Sequence, residues 1–450
     1  MSNNLNKKSL RLNAVMAVVA TTLAAGGALA QVTPNREAEL AGRLDKLAAE
    51  LEAVKAQLTQ LQKERAAQPA AATAVAPATA ANTTLSNVPL AAYANAPAAG
   101  GTPATVLSSY GELTYTRPTS ASENTQADLA RFVLGFQHRF DDKNKVVAEL
   151  EVEHAVSSSS DPGEVALEQA FVEHQLNPQV ALRGGLFLIP AGLLNENHEP
   201  TVFYGVQRNF VETAIIPTTW REGGLQVVGN LDDGWTLQGG VSTGFDITKW
   251  DATSTEGAES PLGSIHQELA LAKARDLSVF GAVNWRGIPG LQLGGSVFSG
   301  GASHGQPNTP SSRITLWDVH ARWTPDRWDL SALYARGSIS NTAALNQPLV
   351  GGLTLIPSRF DGWYTQAAYR LWSNNDYSLS PFVRYEQVNT ARAYDEIGAG
   401  LTPAARPTEK IWSLGANFNI GSGIVLKADY QRFDVADDAN RINLGLGWSF

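Results

Sequence analysis

The last residues of the chain alternate strictly. Ile442, Leu444, Leu446, Trp448 and Phe450 fall on one face, with Arg441, Asn443, Gly445, Gly447 and Ser449 on the other. A period of two marks a strand with one apolar and one polar face. The same texture sets Trp317, Val319, Ala321 and Trp323 against Asp318, His320 and Arg322, and Val146, Ala148, Leu150 and Val152 against Glu149, Glu151 and Glu153. Between turn signals the pattern predicts strands near 106–117, 127–140, 145–156, 167–176, 180–189, 223–230, 235–243, 275–286, 291–299, 313–323, 327–337, 359–371, 378–388, 409–420, 423–434 and 440–450. Sixteen is an even number, and the connections alternate in length. Short turns such as 141–144, 177–179, 231–234, 287–290, 324–326 and 421–422 are interleaved with long loops near 190–222, 244–274, 300–312, 338–358 and 389–408. This is the layout of a transmembrane barrel with both ends of the sheet on the short-turn side.

The expected fold class is therefore all-β, a sixteen-stranded antiparallel transmembrane β-barrel. Its apolar face should meet hydrocarbon, because a closed sheet already pairs every backbone polar group and leaves a wet interior. All eleven Trp lie from Trp220 onward, and Trp323 and Trp328 bracket one short turn, as an interfacial girdle requires. A barrel this wide encloses a channel that its own strand side chains cannot fill.

Ahead of the strands the period changes. Leu40, Leu44, Leu47, Leu51, Val54, Leu58 and Leu61 alternate spacings of four and three, the a/d seam of a short α-helical coiled coil over 31–65. At about 1.5 Å per residue it makes a rod of roughly 40 Å. Residues 66–105 are Ala/Pro-rich and read as an extended linker. Residues 1–30 carry Lys7, Lys8 and Arg11, then an apolar stretch and the small-residue ending Ala28-Leu29-Ala30, the pattern of a cleavable secretory signal. The domain plan is thus signal 1–30, periplasmic coiled coil 31–65, linker 66–105 and barrel 106–450.

Removing three positive charges and no negative ones with the signal takes the formal charge from -9 to -12. An acidic chain is a poor nucleic-acid binder. With no Cys in the chain, disulfide frameworks, thiolate catalysis and cysteine metal sites are excluded.

The chemistry-bearing segment is the connection after the fifth strand. It contains Asn195, Glu196, His198, Glu199, Arg208, Glu212, Arg221 and Glu222. A loop of this length folding into a wet barrel would constrict it and put charges where ions pass. The phrases LFLIPAGLLNENHEP and IPTTWREGG, with the strand-and-turn pattern running to Phe450, resemble the phosphate-selective porin (O/P-type) family of outer-membrane porins. The resemblance spans about 106–450 and implies a trimeric sixteen-stranded barrel in outer-membrane lipid, with 190–222 as the inward-folded third loop. The charges depart from the family pattern. Arg139, Arg183, Arg286, Arg322, Arg370, Arg384, Lys427 and Arg441 are opposed by Glu149, Glu151, Glu153, Asp318, Glu386 and Asp429.

His198 beside Glu199 invites a hydrolase reading, but adjacent residues of an extended chain point apart and no G-x-S-x-G or H-E-x-x-H context is present. His138, His154, His174 and His320 lie on separate predicted strands without metal-ligand spacing. The expectation is a non-enzymatic passive channel for small hydrophilic solutes, without cofactor or metal, weakly anion-preferring, with Arg183, Arg322, Arg370 and Arg384 on its wall. The rival is an envelope tether, in which the barrel anchors and the coiled coil reaches toward peptidoglycan.

Overall fold

The computed structural model describes Ala49, Glu52, Lys55, Ala56, residues 104–158 and residues 161–450. The chain divides into two units, Met1–Asn82 and Thr83–Phe450. In the first, the four described residues are helical and Lys55 bonds Glu52 at 2.7 Å. The heptad seam, the signal and most of the linker lie outside the described residues.

The second unit is one antiparallel sheet. Its strands are β1 Ala104–Pro118, β2 Gln126–Arg139, β3 Asn144–Glu153, β4 Val165–Asn177, β5 Val180–Leu188, β6 Arg221–Asn230, β7 Trp235–Ser242, β8 Ser278–Trp285, β9 Leu291–Gly301, β10 Arg313–Trp323, β11 Trp328–Ile339, β12 Arg359–Tyr369, β13 Trp372–Asn374, β14 Tyr377–Ala393, β15 Glu409–Ile420, β16 Ile424–Phe433 and β17 Arg441–Ser449. Each strand pairs with the next, and β1 pairs with β17 from Tyr110↔Ser449 to Pro118↔Arg441, closing the barrel. The expected strand over 359–371 is broken: β12 and β13 both pair with β14 and together form one stave, so there are sixteen. At the break the Arg370 N–H still bonds Arg327 O at 2.8 Å in the β11 register and the Leu371 N–H bonds Leu379 O at 3.0 Å, while the register to β14 slips by one residue between Ala368↔Phe382 and Trp372↔Leu379. The barrel also begins earlier than expected, with Ala104 and Thr105 of the supposed linker already in β1.

Alternation holds best in β16. Ile424, Leu426, Ala428 and Tyr430 face out and are exposed, while Val425, Lys427, Asp429 and Gln431 face in and are buried. Two outward aromatic rows follow. Trp235–Trp285, Trp328–Tyr369 and Tyr377–Phe418 line the short-turn end, and Trp317–Tyr334, Trp363–Tyr385 and Tyr385–Trp412 the long-loop end.

One expectation fails in a sector. Toward the long-loop ends of β8 to β12 the apolar residues Phe280, Phe298, Ile314, Leu316, Leu333, Ile339 and Phe360 face inward, each no more than 6% exposed. They enclose a core with Trp220, Phe245, Ile247, Trp250, Leu262, Ile265, Leu345 and Ile356 from the long loops. Trp220 stacks on Phe245 at 5.2 Å and meets Phe298 edge-on at 4.6 Å. Each large side chain so removed from water contributes on the order of 1.5–3 kcal/mol. Loop 243–277 is held over this core: Thr390 Oγ1 donates to Ala258 O at 2.6 Å, and Ser260 Oγ to Ala214 O at 3.2 Å. Asp246 anchors it. Against the cost of burial, the Thr248 hydroxyl and Lys273 ammonium hold that carboxyl below its usual range.

Candidate functional site: an inward loop fixed to the barrel wall

Between β5 and β6 the chain enters the barrel over 189–220, as expected for the third loop. Its base is closed by Asn195, whose amide donates to Ile189 O at 2.7 Å and Trp220 O at 2.8 Å and accepts from Trp220 N at 2.7 Å. One wide helical turn, Val211–Ile215, brings Glu212 between the two legs of the loop. There Glu212 Oε1 accepts from Leu193 N at 2.6 Å and Leu194 N at 2.7 Å. Its Oε2 accepts from Asn209 Nδ2 at 2.7 Å and from the Tyr364 hydroxyl of β12 at 3.0 Å. One carboxylate thus knots both legs to each other and to the wall.

The far end of the loop lies on β14 to β17. Asp429 accepts from Val206 N at 2.6 Å, Glu386 from Phe210 N at 2.6 Å, and Asn417 from Gly205 N at 3.2 Å. Arg384 bonds Glu386 at 2.7 Å and donates to Tyr204 O at 3.1 Å. Lys427 Nζ sits 3.4 Å over the Phe203 ring, and Arg441 donates to Gln207 Oε1 at 2.5 Å. Across the barrel, Asp318 on β10 accepts from Gly192 N at 3.1 Å. Exposed backbone N–H groups of an irregular segment need acceptors once water is excluded, and the inward acids and amides supply them.

The residues singled out from sequence therefore divide. Asn195, Glu212 and Arg384 are inside the loop–wall contacts, with Arg384 only 2% exposed. His198 is buried, bonded through Nδ1 to Asn195 O at 2.9 Å and through Nε2 to the Tyr110 hydroxyl at 2.7 Å, with Glu168 at 3.3 Å. Both ring nitrogens are occupied by structural partners. Glu222 accepts from Thr243 at 2.6 Å and Trp220 Nε1 at 3.1 Å, and Arg221 pairs with Glu268 at 2.9 Å. Arg208 bonds Thr218 at 2.7 Å and Thr219 at 3.0 Å. Glu196 is exposed to the lumen beside Gln238 at 2.8 Å, and Glu199 is half-buried. Arg183 joins the chain Lys145–Glu173–Arg183, both contacts 2.8 Å. Arg322 makes a two-pronged pair with Asp329 at 2.9 and 2.6 Å.

Below the loop, at the short-turn end, the lumen opens into a cavity of ≈ 760 Å³ lined by Glu149, Thr201, Tyr204, Arg322, Asp329, Arg370, Ser380 and Asn417 among others. Arg370 forms no ion pair with any described residue.

Sequence reading missed an inward cluster on β1 to β4: Tyr110, Glu112, Arg131 and Glu168. Arg131 pairs with Glu112 at 2.9 Å and lies 3.7 Å from Glu151, and Tyr110 donates to Glu168 at 2.5 Å. For Arg131 and Glu168 the cause is a bulge in each strand. The β1–β2 register slips beside Ala130 and the β3–β4 register beside Glu168, each switching the parity along its strand. Among the described residues no group of three or more His, Cys, Asp or Glu side chains is arranged to hold a metal ion.

No family model matches the chain. An uncharacterized protein of Aquifex aeolicus is 28% identical over 355 residues, which are 76% of this chain and 79% of that one. Among solved structures, OmpF of Salmonella typhi in complex with daunomycin superposes with a TM-score of 0.55 at 14% identity, covering 77% of this chain and 97% of that chain. The outer membrane channel DcaP of Acinetobacter baumannii gives 0.50 at 15% identity, covering 79% and 99%. At such identities the likeness speaks for the fold, and the fold is that of the outer-membrane porins.

Proposed function

We propose that this chain is an outer-membrane diffusion channel for small hydrophilic solutes, narrowed by loop 189–220 and exported by a cleaved signal. The observation that carries the reading is a long loop held inside a closed, polar-walled barrel by at least four separate strands, above an open vestibule. Anchoring alone requires neither sixteen staves nor an internal loop. Conductance across a planar bilayer tests it.

The preference is weakly anionic. Permeation responds to charge on the lumen wall rather than to net charge, because a narrow surround of low dielectric strengthens it. Several inward acids are already matched: Glu173 by Lys145 and Arg183, Asp329 by Arg322, Glu386 by Arg384, and Glu112 by Arg131, while Glu196 and Glu199 of the loop have no base within ion-pair distance among the described residues and keep the bias small. Arg370 and Arg441 have no carboxylate within ion-pair distance among the described residues, whereas unmatched Glu149 is 3% exposed. Phosphate specificity in the manner of the O/P-type family would need a longer run of such bases. Arg370→Gln should shift the reversal potential in a tenfold salt gradient toward cations, while Arg384→Gln should shift it less. No shift with Arg370→Gln would remove Arg370 from the path.

Assembly is proposed as a homotrimer, with the coiled coil adding contacts. Native mass spectrometry of the full chain reads the copy number, and a monomer at micromolar concentration would reject it.

A further inference from the structure

The outer wall is not uniform around the barrel. In the sector β10 to β16 the aromatic row at the long-loop end runs through Trp317, Tyr334, Trp363, Tyr385, Trp412 and Tyr430, all at outward positions. Toward the long loops each of these strands carries a base above it: Arg313, Arg336, Arg359, Lys410 and Arg432 one or two outward positions on, and Arg392 seven residues on from Tyr385, past the β12–β14 register shift that sets Ala393 opposite Arg359. Adjacent registers hold this row level, with Arg336 opposite Asp361, Arg359 opposite Ser338, Lys410 opposite Gln387 and Arg432 opposite Trp412.

The acids at this height are Asp361, Glu409 and Asp434. Asp361 is held by Arg392 through Nε at 3.0 Å, and Asp434 by Lys410 at 3.4 Å. Glu409 is spent on the backbone N–H groups of Asp434, Val435 and Ala436. Among the described residues Arg336, Arg359 and Arg432 form no ion pair and no side-chain hydrogen bond. In the sector β1 to β7 the outward bases at this end differ: Arg221 is paired with Glu268, His154 with Asp128, and Arg117 stands alone.

Tyrosine and tryptophan settle at the boundary between hydrocarbon and headgroups. Bases immediately above that boundary lie at headgroup height, where guanidinium groups match phosphate oxygens in charge and in paired-donor geometry. We propose that the arginine row on β10 to β16 is a docking surface for the phosphate-bearing headgroups of outer-leaflet lipid, and that this sector faces lipid in the assembled protein. The proposal rests on the membrane-spanning reading of the barrel but not on conduction, so the two fail separately.

The test uses the full chain in detergent, bisphosphorylated lipid A as probe and its fully dephosphorylated form as control, with bound lipid counted by native mass spectrometry. Arg336→Gln/Arg359→Gln/Arg432→Gln removes three bases that support no contact in the fold, and heat-modifiable gel migration reports whether the barrel is intact. The triple variant should bind bisphosphorylated lipid A about a hundredfold more weakly. Arg117→Gln should bind as the parent does, and the dephosphorylated lipid should bind neither protein appreciably. Equal binding by parent and triple variant, equal binding of the dephosphorylated lipid, or full displacement by an equal concentration of inorganic phosphate would each overturn the proposal.

Discussion

Glu212→Ala is expected to release the constricting loop while leaving the barrel closed. The carboxylate accepts four hydrogen bonds in a site where the residue is 3% exposed. Two come from the backbone N–H groups of Leu193 and Leu194. A buried donor left unsatisfied costs about 1–3 kcal/mol, so the loss exceeds what holds most irregular segments in place. The sheet keeps its own ladder, and heat-modifiable migration should persist. Cleavage between residues 193 and 212 by added protease should become fast, and channel current should become noisy. Tyr364→Phe, which removes one of the four bonds, should fall between parent and Glu212→Ala. A protease-resistant loop in Glu212→Ala would mean that the bonds from Asp318, Glu386, Asn417 and Asp429 and the apolar contacts of Val211, Ile215 and Trp220 suffice without it.

Glu386→Ala should destabilise more than removal of the whole ion pair. Arg384 is 2% and Glu386 0% exposed, and the carboxylate also receives Phe210 N. Deleting one partner of a buried pair strands the other and costs about 3–5 kcal/mol, whereas an apolar replacement of both is often close to neutral. The double variant Arg384→Met/Glu386→Leu should therefore unfold nearer the parent than Glu386→Ala does, in thermal melts followed by gel migration. If the double variant is the weaker, the pair contributes more than its desolvation costs.

Strand number, turn positions and the location of the internal loop were legible in the sequence because each rests on a local pattern. A lipid-facing wall forces period two, and short turns carry their own Gly and Asp signals, as at Gly287 and Asp326. The internal core was not legible. In β11, Leu330, Ala332 and Tyr334 alternate with Leu333, Ala335 and Ile339, so both faces read as apolar. Which one meets loops and which meets lipid is settled by partners more than a hundred residues away, such as Trp220. Parity failed again at Glu168, where a bulge adds one residue and no side-chain pattern announces it.

The charged residues of the loop were found but their surroundings were not. Glu212 in an exposed loop and Glu212 knotted onto Leu193, Leu194 and Tyr364 have the same sequence. Only the folded chain says whether water or backbone N–H groups satisfy the carboxylate. The wall acids Asp318, Glu386 and Asp429 likewise read as pore charges, and each is instead spent in part on a loop N–H.

The central claim is that the barrel conducts and that loop 189–220 sets how much. Single-channel recording of the purified full chain, beside a variant in which residues 200–207 are replaced by a short Gly/Ser linker, tests it most directly. The account predicts discrete ohmic steps for the parent and steps severalfold larger for the variant. An inserted, heat-modifiable barrel that gives no steps, or equal steps from both proteins, would contradict it.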